Sequence, residues 1–230
     1  MRVAVHLTAA DARDALTRRT DACAVIIDVL RATTTITVAL AHGAARIIPV
    51  ESPERALALR AAHHALVCGE RDGRIVPGFD LGNSPTEYVV ERVRGRTLIF
   101  ASTNGSLAML AAARARRRIA AAFVNAAAVV EALADEREVA IVCAGKLGDF
   151  ALEDAACAGL LCARLETRGA KLEGPAARLA RAIAPREPAE VRTILEGASH
   201  GRYLRSLGGP FADDVAFCAR LDTIDHAYEI

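Results

Sequence analysis

Asp28 and Arg31 stand three residues apart in VIIDVLRATTTI (25–36), between an apolar run and a row of threonines. A carboxylate can hold a hard cation or take up a proton, and a guanidinium can bridge two oxygens of a phosphate. Three more stretches carry the same mixture. GERDGRIVPGFDLGNSP (69–85) holds Glu70, Arg71, Asp80 and Asn83; STNGS (102–106) holds Ser102, Thr103, Asn104 and Gly105; CAGKLGDFALED (143–154) holds Lys146, Asp149, Glu153 and Asp154. The cations Arg31, Arg71 and Lys146 suit an anion, and backbone amides at helix starts after Arg31 and Asn104 would add to them. The carboxylates Asp28, Glu70, Asp80, Glu153 and Asp154 suit a divalent metal, and magnesium is the metal that favours oxygen ligands beside phosphate. Anion and cation holders at one place are what phosphoryl chemistry needs. Each stretch alone is also an ordinary turn or helix cap: STNG is a good turn sequence, and Glu153-Asp154 suits a helix start. Four of one character, with complementary contents, point to a site.

Other chemistries leave no trace. The chain contains no GxxxxGK[ST], no GxGxxG after its first strand, no GxSxG and no HExxH. His63-His64 closes a helical pattern, and His200 is an isolated candidate acid. DVLRAT differs from the aspartyl-phosphate phosphatases, because Leu30 stands where their second aspartate belongs, and that family is excluded.

The elements that must gather these stretches read as an alternation. Apolar runs of strand length cover Arg2–Leu7, Cys23–Asp28, Ala45–Val50, Ala65–Gly69, Thr97–Ala101, Ile119–Val124 and Glu138–Cys143. Helical patterns lie between them. Thr8 with Asp11, Ser52-Pro53 and Ser84-Pro85-Thr86-Glu87 mark helix starts, Asn125 caps another, and Gly43 follows a helix end. Such alternation means an α/β domain with a largely parallel or mixed sheet. If the strands are parallel, the four polar loops share one edge of the sheet, where ligands bind. From about residue 153 the pattern is mostly helical, punctuated by Pro175, Pro185 and Pro188, with a last strand expected near 221–228. Neither repeats nor a Gly/Ser linker divide the chain, so a single domain over 1–230 is expected.

Composition sets the frame. The hydrophobic fraction is 53% with only 4% aromatic, enough for an aliphatic core. A net charge of +1 excludes a global nucleic-acid or membrane electrostatic signature, so any anion site is local. The first residues lack the apolar region of a signal peptide, and no run has the length of a membrane span. Six cysteines are scattered without a CxxC pair, which reads as reduced, buried thiols in a cytoplasmic protein.

Taken together, IDVLRATTT (27–35), GERDGRIVPGFDLGNSP (69–85), STNGS (102–106), CAGKLGDFALEDAACAG (143–159) and the looser SHGRYLRSLGGPFADDVAFCARLD (199–222) resemble the 2-phosphosulfolactate phosphatase family, the ComB-like proteins of coenzyme M biosynthesis. Ser102 and Ser106 stand where threonine is common, and Ala151 replaces a small hydroxyl residue; no ionisable group is lost. The resemblance implies a three-layer α/β/α fold and magnesium-dependent hydrolysis of (R)-2-phospho-3-sulfolactate, or a related phosphorylated hydroxy acid, to the hydroxy acid and phosphate. On this reading Asp28 and Asp80 are catalytic. Asp28, Glu70 and Asp154 hold Mg2+. Arg31, Arg71, Asn83, Ser102, Thr103, Asn104, Gly105 and Lys146 bind substrate. Direct attack by water and a phosphoenzyme at Asp28 both stay open. The expected partner is a small-molecule phosphate ester, without nucleic acid or membrane, and a homo-oligomer is compatible with the sequence. The alternative is a non-catalytic binding protein for a phosphorylated small acid. It would use the same cations but has little reason to set carboxylates beside its anion.

Overall fold

The segment CAVII is buried along its whole length, and such a strand must be covered on both faces. The computed structural model, which describes residues 1–17 and 20–230, shows how. This strand is β2 (Cys23–Ile27). It lies in a six-stranded sheet with β1 (Arg2–His6), β7 (Arg117–Ala121), β8 (Glu138–Cys143), β9 (Lys171–Glu173) and β10 (Tyr228–Glu229), in the order β10-β7-β2-β8-β1-β9. Only β10 runs antiparallel. A second sheet holds β3 (Arg46–Pro49), β4 (Leu66–Arg71), β5 (Arg74–Ile75) and β6 (Thr97–Ala101), in the order β3-β6-β4-β5, with β5 antiparallel.

Alternation along β2 assigns the faces. Cys23, Val25 and Ile27 pack in the core beneath α6 (Ala126–Ala132), α7 (Leu152–Glu166), α8 (Gly174–Ala182) and α9 (Pro188–Gly197). Leu204 of α10 (Ser199–Leu207) and Val215 of α11 (Pro210–Cys218) join the same core. Ala24 and Ile26 pack on the other side, against α1 (Ala9–Leu16), α2 (Ala32–Ala41) and α5 (Gly105–Ala111). These layers form the three-layer α/β/α arrangement. The middle helices also bury Ile47, Cys68, Leu98 and Phe100 of the second sheet. Its outer face meets Ala56 of α3 (Pro53–His63), while the short α4 (Val90–Val93) precedes β6.

Register brings the strand ends level. Ile27 pairs with Ala121 and Cys143, and Gly69 pairs with Ala101. Asp28, Ala144 and Ser102 therefore each begin a loop just past a strand end, and Glu70 lies level with them in the last residues of β4, where it pairs with Ile75 of β5.

The threonine row of α2 has poor helix propensity, and its hydroxyls show why it is there. Thr33 Oγ1 donates to the carbonyl of Ala121 at 2.7 Å, Thr34 Oγ1 to that of Val29 at 2.8 Å, and Thr35 Oγ1 to that of Asn83 at 2.9 Å. They fasten the helix start to the end of β7, to the turn after β2 and to the loop that follows β5, each bond contributing about 1 kcal/mol.

Several expectations need correction. The strands form two sheets rather than one. The strand expected at 119–124 runs Arg117–Ala121, because Asn125 folds back: its Oδ1 accepts the Ala122 amide and its side-chain nitrogen donates to the Ala120 carbonyl. Asn125 therefore does not cap α6 with its side chain. Ser84 does not cap either. Its hydroxyl donates to Asp214, and residues 85–87 make a single 3-10 turn. The strand expected at 221–228 is only Tyr228–Glu229. Thr8 and Ser52 do cap their helices, accepting the amides of Asp11 and Arg55. All six cysteines are free and buried.

Where α7 crosses α8, a Cβ on Gly159 would lie 2.0 Å from the carbonyl oxygen of Ala180. Gly159→Ala should cost about 2 kcal/mol or more through overpacking, measured by urea unfolding. An unchanged midpoint would mean that the two backbones are not in contact.

Candidate active site

Asp28 ends β2 and turns into α2. Its Oδ1 accepts the Ala32 amide at 3.2 Å. Its Oδ2 lies where a side chain on residue 105 would go: a Cβ there would be 2.6 Å from Oδ2 and 2.5 Å from the Ala32 methyl. Only glycine fits at position 105. Asp154, in the first turn of α7, accepts the Val29 amide at 2.8 Å and the Gly145 amide at 3.1 Å, which ties the ends of β2 and β8 together. Glu153 is buried beside it. Glu70, from the second sheet, accepts the Thr103 amide at 2.7 Å and the Gly73 amide at 2.8 Å.

Four carboxylates thus converge out of water. Burial pushes Asp28 up to about 7; the Ala32 amide opposes the rise, and Glu70 and Glu153 add to it. Asp154 is raised well above the ordinary carboxylate range by burial, then by Asp28 and Glu153. Burial also raises Glu153, against the pull of Lys146.

Beside them opens a cleft of about 250 Å³, with Glu70, Thr103 and Asn104 on its floor. Two tight turns form its rims. One is Asp72-Gly73 (φ +53° and +75°), the tip of the β4–β5 hairpin; the other is Leu147-Gly148 (φ +52° and +91°), closed by paired bonds between Lys146 and Asp149. Asn104 Oδ1 accepts the Leu147 amide at 3.1 Å. Thr103 Oγ1 is buried with no hydrogen-bond partner among the described residues. His200 and Tyr203 of α10 make the wall, and Lys146 Nζ lies 5.3 Å from the Tyr203 ring centroid, a cation–π contact. Burial drives His200 down to about 3, helped by Lys146 and Arg31, so it is neutral at physiological pH.

The structure gathers Asp28, Glu70, Thr103, Asn104, Gly105, Lys146 and Asp154 at this place. The remaining sequence-derived residues are placed otherwise. Asp80 sits by the start of β4, away from Glu70, where its carboxylate accepts the Val67 amide at 2.8 Å and pairs with Arg60 at 3.0 Å. Arg71 spends its guanidinium on the carbonyls of Glu70, Ala101 and Glu51. Ser102 exchanges bonds with Ser106, each hydroxyl accepting the other's amide. The Asn83 carbonyl receives Thr35, and its Oδ1 is buried without a partner among the described residues. Arg31 is buried in an ion pair with Asp214. Among the described residues no three histidine, cysteine, aspartate or glutamate side chains form a ready metal cage. Of the expected trio of Asp28, Glu70 and Asp154, Glu70 and Asp154 each accept two backbone amides, one on each oxygen, and keep lone pairs beyond them. In the sequence His200 stands out only as an isolated candidate acid, and Tyr203 and Asp214 do not stand out at all. The i, i+3 spacing of His200 and Tyr203, which sets both on one helix face, was the available signal.

Comparison with known proteins agrees with this geometry. A family model described as 2-phosphosulpholactate phosphatase matches residues 10–230. A probable 2-phosphosulfolactate phosphatase of Thermotoga petrophila is 42% identical over 199 residues, covering 86% of this chain and 85% of that protein. One of Symbiobacterium thermophilum is 42% identical over 206 residues, covering 87% and 88%. Another, of Carboxydothermus hydrogenoformans, is 43% identical over 211 residues, covering 89% and 84%. With the family model matching residues 10–230 and relatives 42–43% identical over most of both chains, the chain belongs to the 2-phosphosulfolactate phosphatase family.

Proposed function

We propose that this protein hydrolyses 2-phospho-3-sulfolactate, or a closely related phosphorylated hydroxy acid, to the hydroxy acid and phosphate, with magnesium as its metal. The observation that carries the reading is the buried group of Asp28, Glu70, Glu153 and Asp154 beside a cleft that also presents Lys146. Like charges so close resist ionisation, and burial without compensation is costly. A divalent cation offsets both effects. The donors are oxygen only, which suits magnesium. Asp28 and Glu153 would hold it, with the remaining lone pairs of Glu70 and Asp154. Bound there, magnesium would neutralise charge on the phosphoryl oxygens.

The chain's own groups do the rest. Burial pushes Asp28 up to about 7 in the absence of metal; beside a divalent cation it would be ionised, able to hold the metal or to accept a proton. Lys146 sets a positive charge at the cleft mouth, and the unpaired Thr103 hydroxyl faces a demand that a substrate oxygen can meet. The neutral His200 makes a wall without adding charge. Both sheets share α1, α2 and α5, which supports reading residues 1–230 as one catalytic domain. The six free, buried thiols support a cytoplasmic setting.

Phosphate release from phosphosulfolactate and from phospholactate should require magnesium, stop with EDTA and return when magnesium is restored. Binding of these esters without release would point to a carrier instead. Trapping with labelled substrate separates water attack from a phosphoenzyme at Asp28.

Asp28→Asn should lower kcat by about 100-fold or more, within the range lost with an acid–base group, while circular dichroism stays native. Asp80→Asn should change kcat less than about twofold, because that carboxylate lies outside the cleft. A large loss there with an intact fold would return Asp80 to the site.

Stability should carry the mark of His200. Folded, it resists protonation down to about 3, whereas an unfolded histidine protonates near 6.5. Acid below 6.5 therefore favours the unfolded chain. Asp28 acts oppositely, since its raised value favours the fold in acid and that gain is lost as pH rises through about 7. Between pH 7 and 5 the Tm of His200→Gln should accordingly fall less than that of wild type. Parallel curves would place His200 in water.

A further inference from the structure

The Asp72-Gly73 rim hangs on little sheet. β5 is two residues long, and its pairing with β4 covers only Glu70 with Ile75 and Arg71 with Arg74. Side chains hold the turn instead. Glu70 Oε2 accepts the Gly73 amide at 2.8 Å, Tyr203 Oη donates to the Asp72 carbonyl at 3.0 Å, and Arg31 Nη2 donates to the Gly73 carbonyl.

Arg31 is itself anchored from far along the chain. Its Nη1 donates to Asp214 Oδ2 at 2.5 Å, and the other Asp214 oxygen accepts the Ser84 hydroxyl at 2.5 Å. The Phe211 ring covers the guanidinium, 5.3 Å from its carbon. Arg31 is 2% exposed and Asp214 is 0% exposed. A bidentate grip on phosphate needs two N–H groups that face the ligand; one N–H of each outer nitrogen of Arg31 is already given to the protein, and the side chain is closed off from the surface. A buried ion pair is also a poor source of net stability, since a well-packed apolar pair often does as well. What an apolar pair cannot do is hold a carbonyl in place.

We propose that Arg31 and Asp214 are positioning residues. The pair braces the Asp72-Gly73 turn, and the Gly73 amide in turn orients Glu70, which holds the Thr103 amide at the cleft floor. Neither side chain touches substrate. The role rests on the phosphatase reading of the cleft, and it moves Arg31 from binding substrate to supporting the groups that do.

Four variants test it: Arg31→Lys, Asp214→Asn, the double variant Arg31→Met with Asp214→Leu, and Asp213→Asn as an exposed neighbouring control. The readouts are kcat and KM, affinity for inorganic phosphate with magnesium, thermal unfolding, and hydrogen exchange of the Gly73 and Thr103 amides by NMR. In Arg31→Lys and Asp214→Asn both amides should exchange at least about tenfold faster and kcat should fall at least about tenfold, with phosphate affinity changed less than about threefold. The double variant should melt near wild type yet show the same two losses, because it restores packing and not the hydrogen bond. It carries the test if a single variant fails to fold. Asp213→Asn should match wild type. Phosphate affinity falling in step with kcat would overturn the proposal and make Arg31 a substrate ligand. Unchanged exchange and kcat in a folded double variant would reduce the pair to packing. Should wild type release phosphate from no ester, the phosphatase reading fails, and exchange alone decides the brace: faster exchange upholds it and unchanged exchange rejects it.

Discussion

Four carboxylates share a small volume out of water, and the surrounding backbone is arranged to make that tolerable. Asp28 comes from the end of β2, Glu70 from β4, and Glu153 and Asp154 together from the first turn of α7. Ala32 donates to Asp28, Val29 and Gly145 donate to Asp154, and Gly73 and Thr103 donate to Glu70. All five donors are backbone amides at strand ends, helix starts or turns, where helices and sheets leave N–H groups without internal partners. The acids need donors, and these loops need acceptors. The raised values of Asp28, Glu153 and Asp154 show that the exchange is incomplete, since burial outweighs the amides.

The same need explains why two sheets meet here. The larger sheet delivers Asp28 and the support of Asp154; the smaller one delivers Glu70 and the loop after β6. Two contacts join them at close range. Gly105 lets the second sheet's loop approach the Asp28 carboxylate, and the α2 threonines reach from Ala121 to Asn83. Neither sheet alone has the full set of acids, and a slip between them would separate the charges from the amides that hold them.

Much of this was legible in the residues. Strands Thr97–Ala101 and Glu138–Cys143 begin and end where the apolar runs do, and the four polar stretches do converge. What was hidden follows from geometry. A parallel strand looks the same whichever sheet it joins, so two sheets read as one. Arg71 adjoins Glu70, but neighbours in a strand point to opposite faces, and Arg71 turns to carbonyls instead of the cleft. Asp80 follows Glu70 in one polar stretch, yet the chain doubles back there, and Leu81 bridges Cys68. The Asp-Gly pair at 72–73 is a strong two-residue hairpin signal that passed as part of a polar loop. Asp214 meets Arg31 across 183 positions, and no local pattern foretells such a partner.

That long reach has a meaning for how the molecule is made. A chain is synthesised from its amino end, and its parts fold as they emerge. The four acids lie at 28, 70, 153 and 154, whereas the wall from α10 and the anchor at Asp214 come from beyond residue 198. A nascent or prematurely halted chain can therefore possess every acid while lacking the surfaces that enclose them. The order of the residues delays completion of the cleft until α10 and Asp214 have followed the acids, so a chain halted before them is left with the reactive groups but without the shaped space in which they could act.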